Sequence, residues 1–236
     1  MSDDLSDFIA TRVATANRPL LGLTVLVVED SRYASEAMRL LCLRSGARIR
    51  RADCLRSAAR HLQCYRPGVV VVDMGLPDGS GADLIRVIRD MAPPLPVVLA
   101  TSGDPDAEDE AMEAGADGFL PKPVESLALF QQAILSALPR ESRPFGLRAL
   151  SDERVEPDPL ALRDDLIHMA QLLAHAPDRR ELGYVAQFLT GVARSAHDDA
   201  LERAASALGR AGTPSEAAVS RLAGMVQQRL AAGSTF

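Results

Sequence analysis

In Val69-Val70-Val71-Val72-Asp73-Met74-Gly75-Leu76-Pro77-Asp78-Gly79-Ser80-Gly81, four β-branched residues in a row end abruptly in an aspartate, and a turn rich in Gly, Pro and Asp follows. An apolar run with no polar alternation is the pattern of a strand buried on both faces, as in a parallel sheet covered by helices. Three more runs end in the same abrupt way. Leu23-Thr24-Val25-Leu26-Val27-Val28 stops at Glu29-Asp30, Leu95-Pro96-Val97-Val98-Leu99-Ala100 stops at Thr101-Ser102, and the short Gly118-Phe119-Leu120-Pro121 stops at Lys122. A weaker strand is expected at Ala47-Arg48-Ile49-Arg50-Arg51. Between the runs, apolar residues recur at helical spacing in 35–44, 53–65, 83–91, 105–114 and 126–138. Strand and helix alternate five times. That predicts an α/β domain: a doubly wound, five-stranded parallel sheet with right-handed crossovers.

In an open parallel sheet, ligands bind beyond the carboxyl ends of the strands. The four runs deliver Glu29, Asp30, Asp73, Thr101 and Lys122 to that edge. Three converging carboxylates repel one another unless a cation shares the site. Hard oxygen donors on a partly open site suit Mg²⁺, and a metal there is a clamp for phosphate. Lysine usage points the same way. Of the 26 basic residues, only Lys122 is a lysine and the rest are arginine. A compact ammonium is therefore kept at one place, where a broad guanidinium fork would not fit.

Residues 23 to about 138 resemble the receiver domain of bacterial response regulators, the flavodoxin-like family of the chemotaxis receiver. The resemblance rests on Val27-Val28-Glu29-Asp30-Ser31, Val71 to Gly81, Leu99-Ala100-Thr101-Ser102 and Ala114-Gly115-Ala116-Asp117-Gly118-Phe119-Leu120-Pro121-Lys122-Pro123, in that order. It implies that Asp73 is a carboxylate nucleophile phosphorylated by a phosphohistidine donor, a sensor histidine kinase or a phosphotransfer protein. It implies Mg²⁺ held by Asp30, Asp73 and the Gly75 carbonyl, with Glu29 completing the acidic pocket. Lys122 is expected to pair with Asp73, Thr101 to donate its hydroxyl to the phosphoryl group, and Phe119 to switch between outward and inward packing. The Lys122-Pro123 bond is expected to be cis. Such a domain catalyses only its own phosphorylation and dephosphorylation. Three departures stand out: Phe119 lacks a phenolic hydroxyl, Gly75 and Gly103 offer no side chain to the hydrolytic water, and the Thr101–Lys122 interval is a residue short.

The domain organisation expected for the 236 residues is an N-terminal extension over 1–20, the receiver over 21–139, a linker over 140–158 and a four-helix output or dimerisation domain over 159–232. Leu5, Phe8, Ile9 and Val13 have the spacing of a short amphipathic helix in the extension. The linker is rich in Pro and charge. Beyond it, Asp158-Pro159, Asp178 with Glu181, Asp198 or Asp199, and Thr213-Pro214-Ser215-Glu216 read as helix starts, each followed by an apolar stripe. Those stripes predict a small antiparallel all-α bundle. Ser206 stands where a phosphotransfer bundle would need its histidine, so active phosphotransfer is not expected. From Arg148 onward there are 10 Arg and 12 acidic residues, and the whole chain carries a net charge of −6. That balance disfavours nucleic acid. The expected role of the bundle is a switched protein–protein interaction, with a homodimer among the outcomes. A DNA-binding transcriptional output and a degenerate phosphotransfer-like bundle are the alternatives. The bundle is expected to read phosphorylation through the last two receiver helices and the strand between them. Three cysteines without metal spacing, an acidic N-terminus and no apolar run near ~20 residues imply a cytoplasmic protein without a membrane span.

Overall fold

The computed structural model describes residues 14–143, 151–175, 177–210 and 215–232. The expected helix over Leu5 to Val13 lies outside them. The strands of the N-terminal domain are β1 Thr24–Val28, β2 Arg48–Ala52, β3 Val69–Asp73, β6 Val98–Ser102 and β7 Gly118–Pro121. They pair in parallel in the order β2-β1-β3-β6-β7. Two short segments after β3, β4 Gly75–Leu76 and β5 Gly79–Ser80, close the turn as a small antiparallel ladder. Helices α1 Arg32–Ser45, α2 Leu55–Cys64, α3 Gly81–Arg89, α4 Ala107–Glu113 and α5 Leu127–Ala137 cover the sheet. This is the doubly wound α/β fold expected from the strand–helix alternation.

The four valines of β3 explain why no polar residue interrupts it. Side chains alternate across a strand. Val70 and Val72 join Leu26, Val28, Ile85 and Ile88 in one apolar layer. Val69 and Val71 join Val25, Met38, Leu41, Phe130 and Ile134 in the other. Each face is sealed by helices, so both sets must be apolar. The registers Val28↔Val72 and Asp73↔Thr101 bring the polar strand ends to one edge.

The helices that follow are α6 Pro159–Ala174, α7 Arg179–Ser195, α8 Asp199–Arg210 and α9 Glu216–Ala232, packed as a bundle. Its starts follow the capping chemistry. Asp158 accepts from the Leu160 N–H at 2.8 Å, with Pro159 at the first helical position. Asp178 and Glu181 form a reciprocal capping box at 2.9 Å each way. Helix α9 begins at Glu216 with Ser215 accepting from the Ala218 N–H, so Ser215 holds the cap expected of Thr213. Leu166, Met169, Val185, Leu189, Leu201, Ala205, Leu222 and Val226 form the bundle's aliphatic core.

Part of the stretch expected as linker is laid onto the α/β domain. Leu127 N–H donates to the Glu153 carbonyl at 3.0 Å, and Val155 N–H donates to the Glu125 carbonyl at 2.9 Å. Val155 is buried in the layer under α1 and α5.

Candidate functional site

Glu29 and Asp30 leave the end of β1, Asp73 ends β3 and Lys122 follows β7. The fold brings them together: ligand oxygens of Glu29, Asp30 and Asp73 all lie within 4.8 Å of one another. Lys122 Nζ donates to Asp73 Oδ2 at 2.9 Å and stands 2.7 Å from Glu29 Oε2. The Lys122-Pro123 bond is cis. Burial and the neighbouring Asp73 push the Glu29 carboxyl well above its usual range. The same two causes push Asp30 up to about 7, against a hydrogen bond that lowers it. Burial opposes the charge of Lys122, yet Asp73 and Glu29 beside it hold its pKa above the ordinary value. One ammonium facing three carboxylates leaves an acidic excess, and the donors are all hard oxygens. That set fits Mg²⁺.

Thr101 sits beside Asp73 in register, but its hydroxyl does not face the site. It is buried and donates at 2.7 Å to the Leu120 carbonyl on the next strand. Strand pairing leaves that carbonyl within reach, so the hydroxyl is satisfied there. Phe119 is half-buried against the layer that contains Ile85 and Ile88. Gly75 lines the cleft, its N–H 3.4 Å from Asp73 Oδ1.

The bundle seats itself over this edge. Among the described residues its main contacts are with α1 and this edge, whereas the sequence pointed to the face of α4, β7 and α5. Asp165 of α6 is 3% exposed and accepts three hydrogen bonds at the start of α1: from Ser31 Oγ at 2.7 Å, Arg32 N–H at 2.9 Å and Tyr33 N–H at 3.0 Å. The first N–H groups of a helix have no partner within it, so this carboxylate caps α1 from outside. Arg32 also pairs with Asp164 at 2.6 Å. From α7, Tyr184 Oη donates to Asp30 Oδ2 at 2.7 Å. Burial and then Asp30 raise the Tyr184 pKa, so its hydroxyl keeps its proton for that bond. A Cβ built on Gly103 would lie 2.9 Å from the Gly191 Cα, so two glycines let α7 and the loop after β6 touch backbone to backbone. Gln187 packs onto Gly75. A cleft of about 550 Å³ remains between the domains, with Asp73 and Lys122 on one wall and Gln187, Thr190 and Gly191 on the other.

The family model that describes the response regulator receiver domain matches residues 25–134. Residues 25–134 are a response regulator receiver domain. The family of that segment is a phosphoacceptor signalling domain. The KDP operon transcriptional regulatory protein KdpE of Escherichia coli is 30% identical over 154 residues, covering 64% of this chain and 66% of that protein. The virulence transcriptional regulatory protein PhoP of Salmonella typhimurium is 32% identical over 116 residues, covering 48% of this chain and 52% of that protein. The chain thus spans between half and two thirds of the length of these relatives. A solved receiver-domain protein from Clostridium thermocellum is 29% identical with a TM-score of 0.45, covering 50% of this chain and 96% of that one.

Sequence reasoning missed Asp165, Tyr184, Gln187 and Gly191. One signal was available for Asp165. It stands inside the apolar stripe of α6, between Leu162 and Met169, where a carboxylate has no reason to be unless it meets a donor.

Proposed function

We propose that the chain is a response regulator whose Asp73 accepts a phosphoryl group from a phosphohistidine donor, with Mg²⁺ in the acidic pocket. The observation that carries this reading is Lys122 bridging Asp73 and Glu29 beside Asp30. Asp73 is the nucleophile: a carboxylate oxygen forms the new bond to phosphorus, and the donor imidazole leaves. Lys122 holds the Asp73 carboxylate aimed through its hydrogen bond, and is free to turn to a phosphoryl oxygen once Asp73 is substituted. Asp30, Asp73 and the Gly75 carbonyl would hold the metal, with Glu29 acting through water. The metal, when bound, neutralises charge on the phosphoryl oxygens. Tyr184 occupies one oxygen of Asp30 and leaves the other free, so it orients that carboxylate as an outer partner does in metal sites. Thr101 would have to give up the Leu120 carbonyl to reach the phosphoryl group, which makes it the moving part of the switch, with Phe119 following.

The bundle, α6 to α9, is the reader. It touches the start of α1 and the site mouth directly, so charge added at Asp73 acts on its seat without passing through the far face of the receiver. Its output is a protein–protein interaction. The curated relatives are named as transcriptional regulators, and a DNA output is the competing reading. No helix among the described residues is long and apolar enough to cross a membrane.

The test is labelling of the full chain by acetyl phosphate with Mg²⁺. The wild type should take up one hydroxylamine-labile phosphoryl group and Asp73→Asn none. Equal labelling of that variant would overturn the assignment. A salt-dependent shift of random duplex DNA by the full chain would favour the DNA output.

A further inference from the structure

Gly75 and Gly103 leave the receiver with no side chain of its own at two positions beside the phosphorylation site. Helix α7 fills both places. A Cβ built on Gly75 would lie 2.4 Å from the Gln187 amide, and one built on Gly103 would meet Gly191. Tyr184, Gln187 and Gly191 fall at i, i+3 and i+7, so one face of α7 carries all three to the site. Tyr184 holds Asp30 at 2.7 Å, and a Cβ on Gly191 would be 3.7 Å from Lys122 Nζ. Of the other polar side chains of the bundle along the cleft, Arg210 lies on α8, off the face that carries Tyr184 and Gln187, and two on α7 are already engaged. Thr190 Oγ1 donates to the Ala186 carbonyl at 2.7 Å, and Arg194 is paired with Glu202. Gln187 is exposed, and its amide faces the cleft that contains Asp73.

We propose that Gln187, carried by the bundle, holds the water that hydrolyses the aspartyl phosphate at Asp73, so that the bundle ends its own signal. This rests on Asp73 being the phosphoryl acceptor. The transition state of phosphoryl transfer asks for little covalent help, and a side-chain amide that orients the attacking water is a known solution. An amide is suited to it because its oxygen accepts from the water while its N–H donates to a phosphoryl oxygen. In the step, the water oxygen forms a bond to phosphorus and the bond from phosphorus to the Asp73 oxygen breaks. The electron pair returns to the Asp73 carboxylate, one water proton stays with the phosphate, the other passes to solvent, and hydrogen phosphate leaves. A cleft of about 550 Å³ has room for a phosphoryl group with several waters, each taking roughly 30 Å³. Fixing one of these waters against phosphorus is the whole contribution asked of Gln187.

The test uses the full chain, labelled on Asp73 with radioactive acetyl phosphate and Mg²⁺, then freed of donor. Loss of the hydroxylamine-labile label is followed in wild type, Gln187→Ala, Asp165→Ala and the double variant. Gln187→Ala should lengthen the lifetime at least tenfold while the Arg32 and Tyr33 amides stay protected from exchange. Asp165→Ala, which loosens the seat of the bundle, should lengthen it too. The double variant should be no slower than the slower single one, because both remove the same amide from the same water. A wild-type or shorter lifetime in Gln187→Ala overturns the inference, as does full additivity in the double variant. If Gln187→Ala also loosens the bundle, the same comparison decides: slowing in the double variant beyond that of the slower single variant refutes the shared role. Failure of the wild type to label at all would instead strike the reading of Asp73.

Discussion

Replacing Asp165 by alanine should release the bundle from the receiver. The carboxylate accepts from Ser31 Oγ, Arg32 N–H and Tyr33 N–H, and it is nearly inaccessible to water. Each such bond contributes a net ~1 kcal/mol at the low end, and more when the acceptor is charged. Burial raises the Asp165 pKa despite those donors, which means that part of the gain is spent on desolvating the charge. Three bonds at the low end give about 3 kcal/mol. That is a shift of roughly 150-fold in the docking equilibrium, since each 1.4 kcal/mol is a factor of ten. The assay is amide exchange of Arg32 and Tyr33, whose N–H groups head α1 and find this carboxylate as their acceptor. Both should exchange about a hundredfold faster in Asp165→Ala, and less so in Asp165→Asn, which keeps one acceptor oxygen. If the two amides exchange within threefold of wild type, Asp165 does not hold the bundle and the reasoning fails.

Gly103→Ala adds a Cβ that meets the Gly191 backbone at 2.9 Å; α7 must back away, docking should weaken by about 1–3 kcal/mol, and the same amides report it while the receiver's own unfolding midpoint stays put. Asp198 caps α8 at the Leu201 N–H and accepts two bonds from Arg229 on α9, which holds its carboxyl below the usual range. A carboxyl depressed in the folded state stabilises above its unfolded pKa and loses that effect as pH falls through its folded pKa. Asp198→Ala should therefore lower stability by about 1 kcal/mol at pH 7, and the difference should vanish in acid thermal melts; an undiminished difference at pH 2 would refute it. Val155→Ala removes two buried methyl groups and should cost about 1.5 kcal/mol in urea unfolding, whereas a change below ~0.3 kcal/mol would mean that the segment is not pinned.

The strand ends were legible because burial on both faces forbids polar residues until the sheet stops. Glu29, Asp30, Asp73 and Lys122 therefore announce the edge of the sheet by the abruptness of the change. The orientation of Thr101 was not legible. One rotation about its side chain chooses between Asp73 and the Leu120 carbonyl, and nothing in the sequence biases it. The bundle's helices were legible from their caps, as Asp158, Asp178 and Glu181 show. Where the bundle sits was not. Docking is decided by a few polar contacts such as Asp165 and Tyr184, whose donors and acceptors lie more than 130 positions away in the chain. Periodicity sees one helix at a time and is blind to such pairs.

The pinning of Val155 has a consequence for any outside protein that seeks Asp73. With Val155 fixed in the receiver and α6 starting at Pro159, three residues form the leash, spanning about 10 Å at full extension. A bundle on so short a leash does not diffuse away when its contacts break. It pivots and stays at an effective concentration on the order of millimolar. A histidine donor present at micromolar level thus begins about a thousandfold behind the resident α7 in the contest for the same mouth. A small phosphodonor that slips through the cleft faces no such contest. On the proposed role of Asp73, the length of one tether would thereby rank the sources of phosphate open to this receiver, before any surface of the donor is recognised.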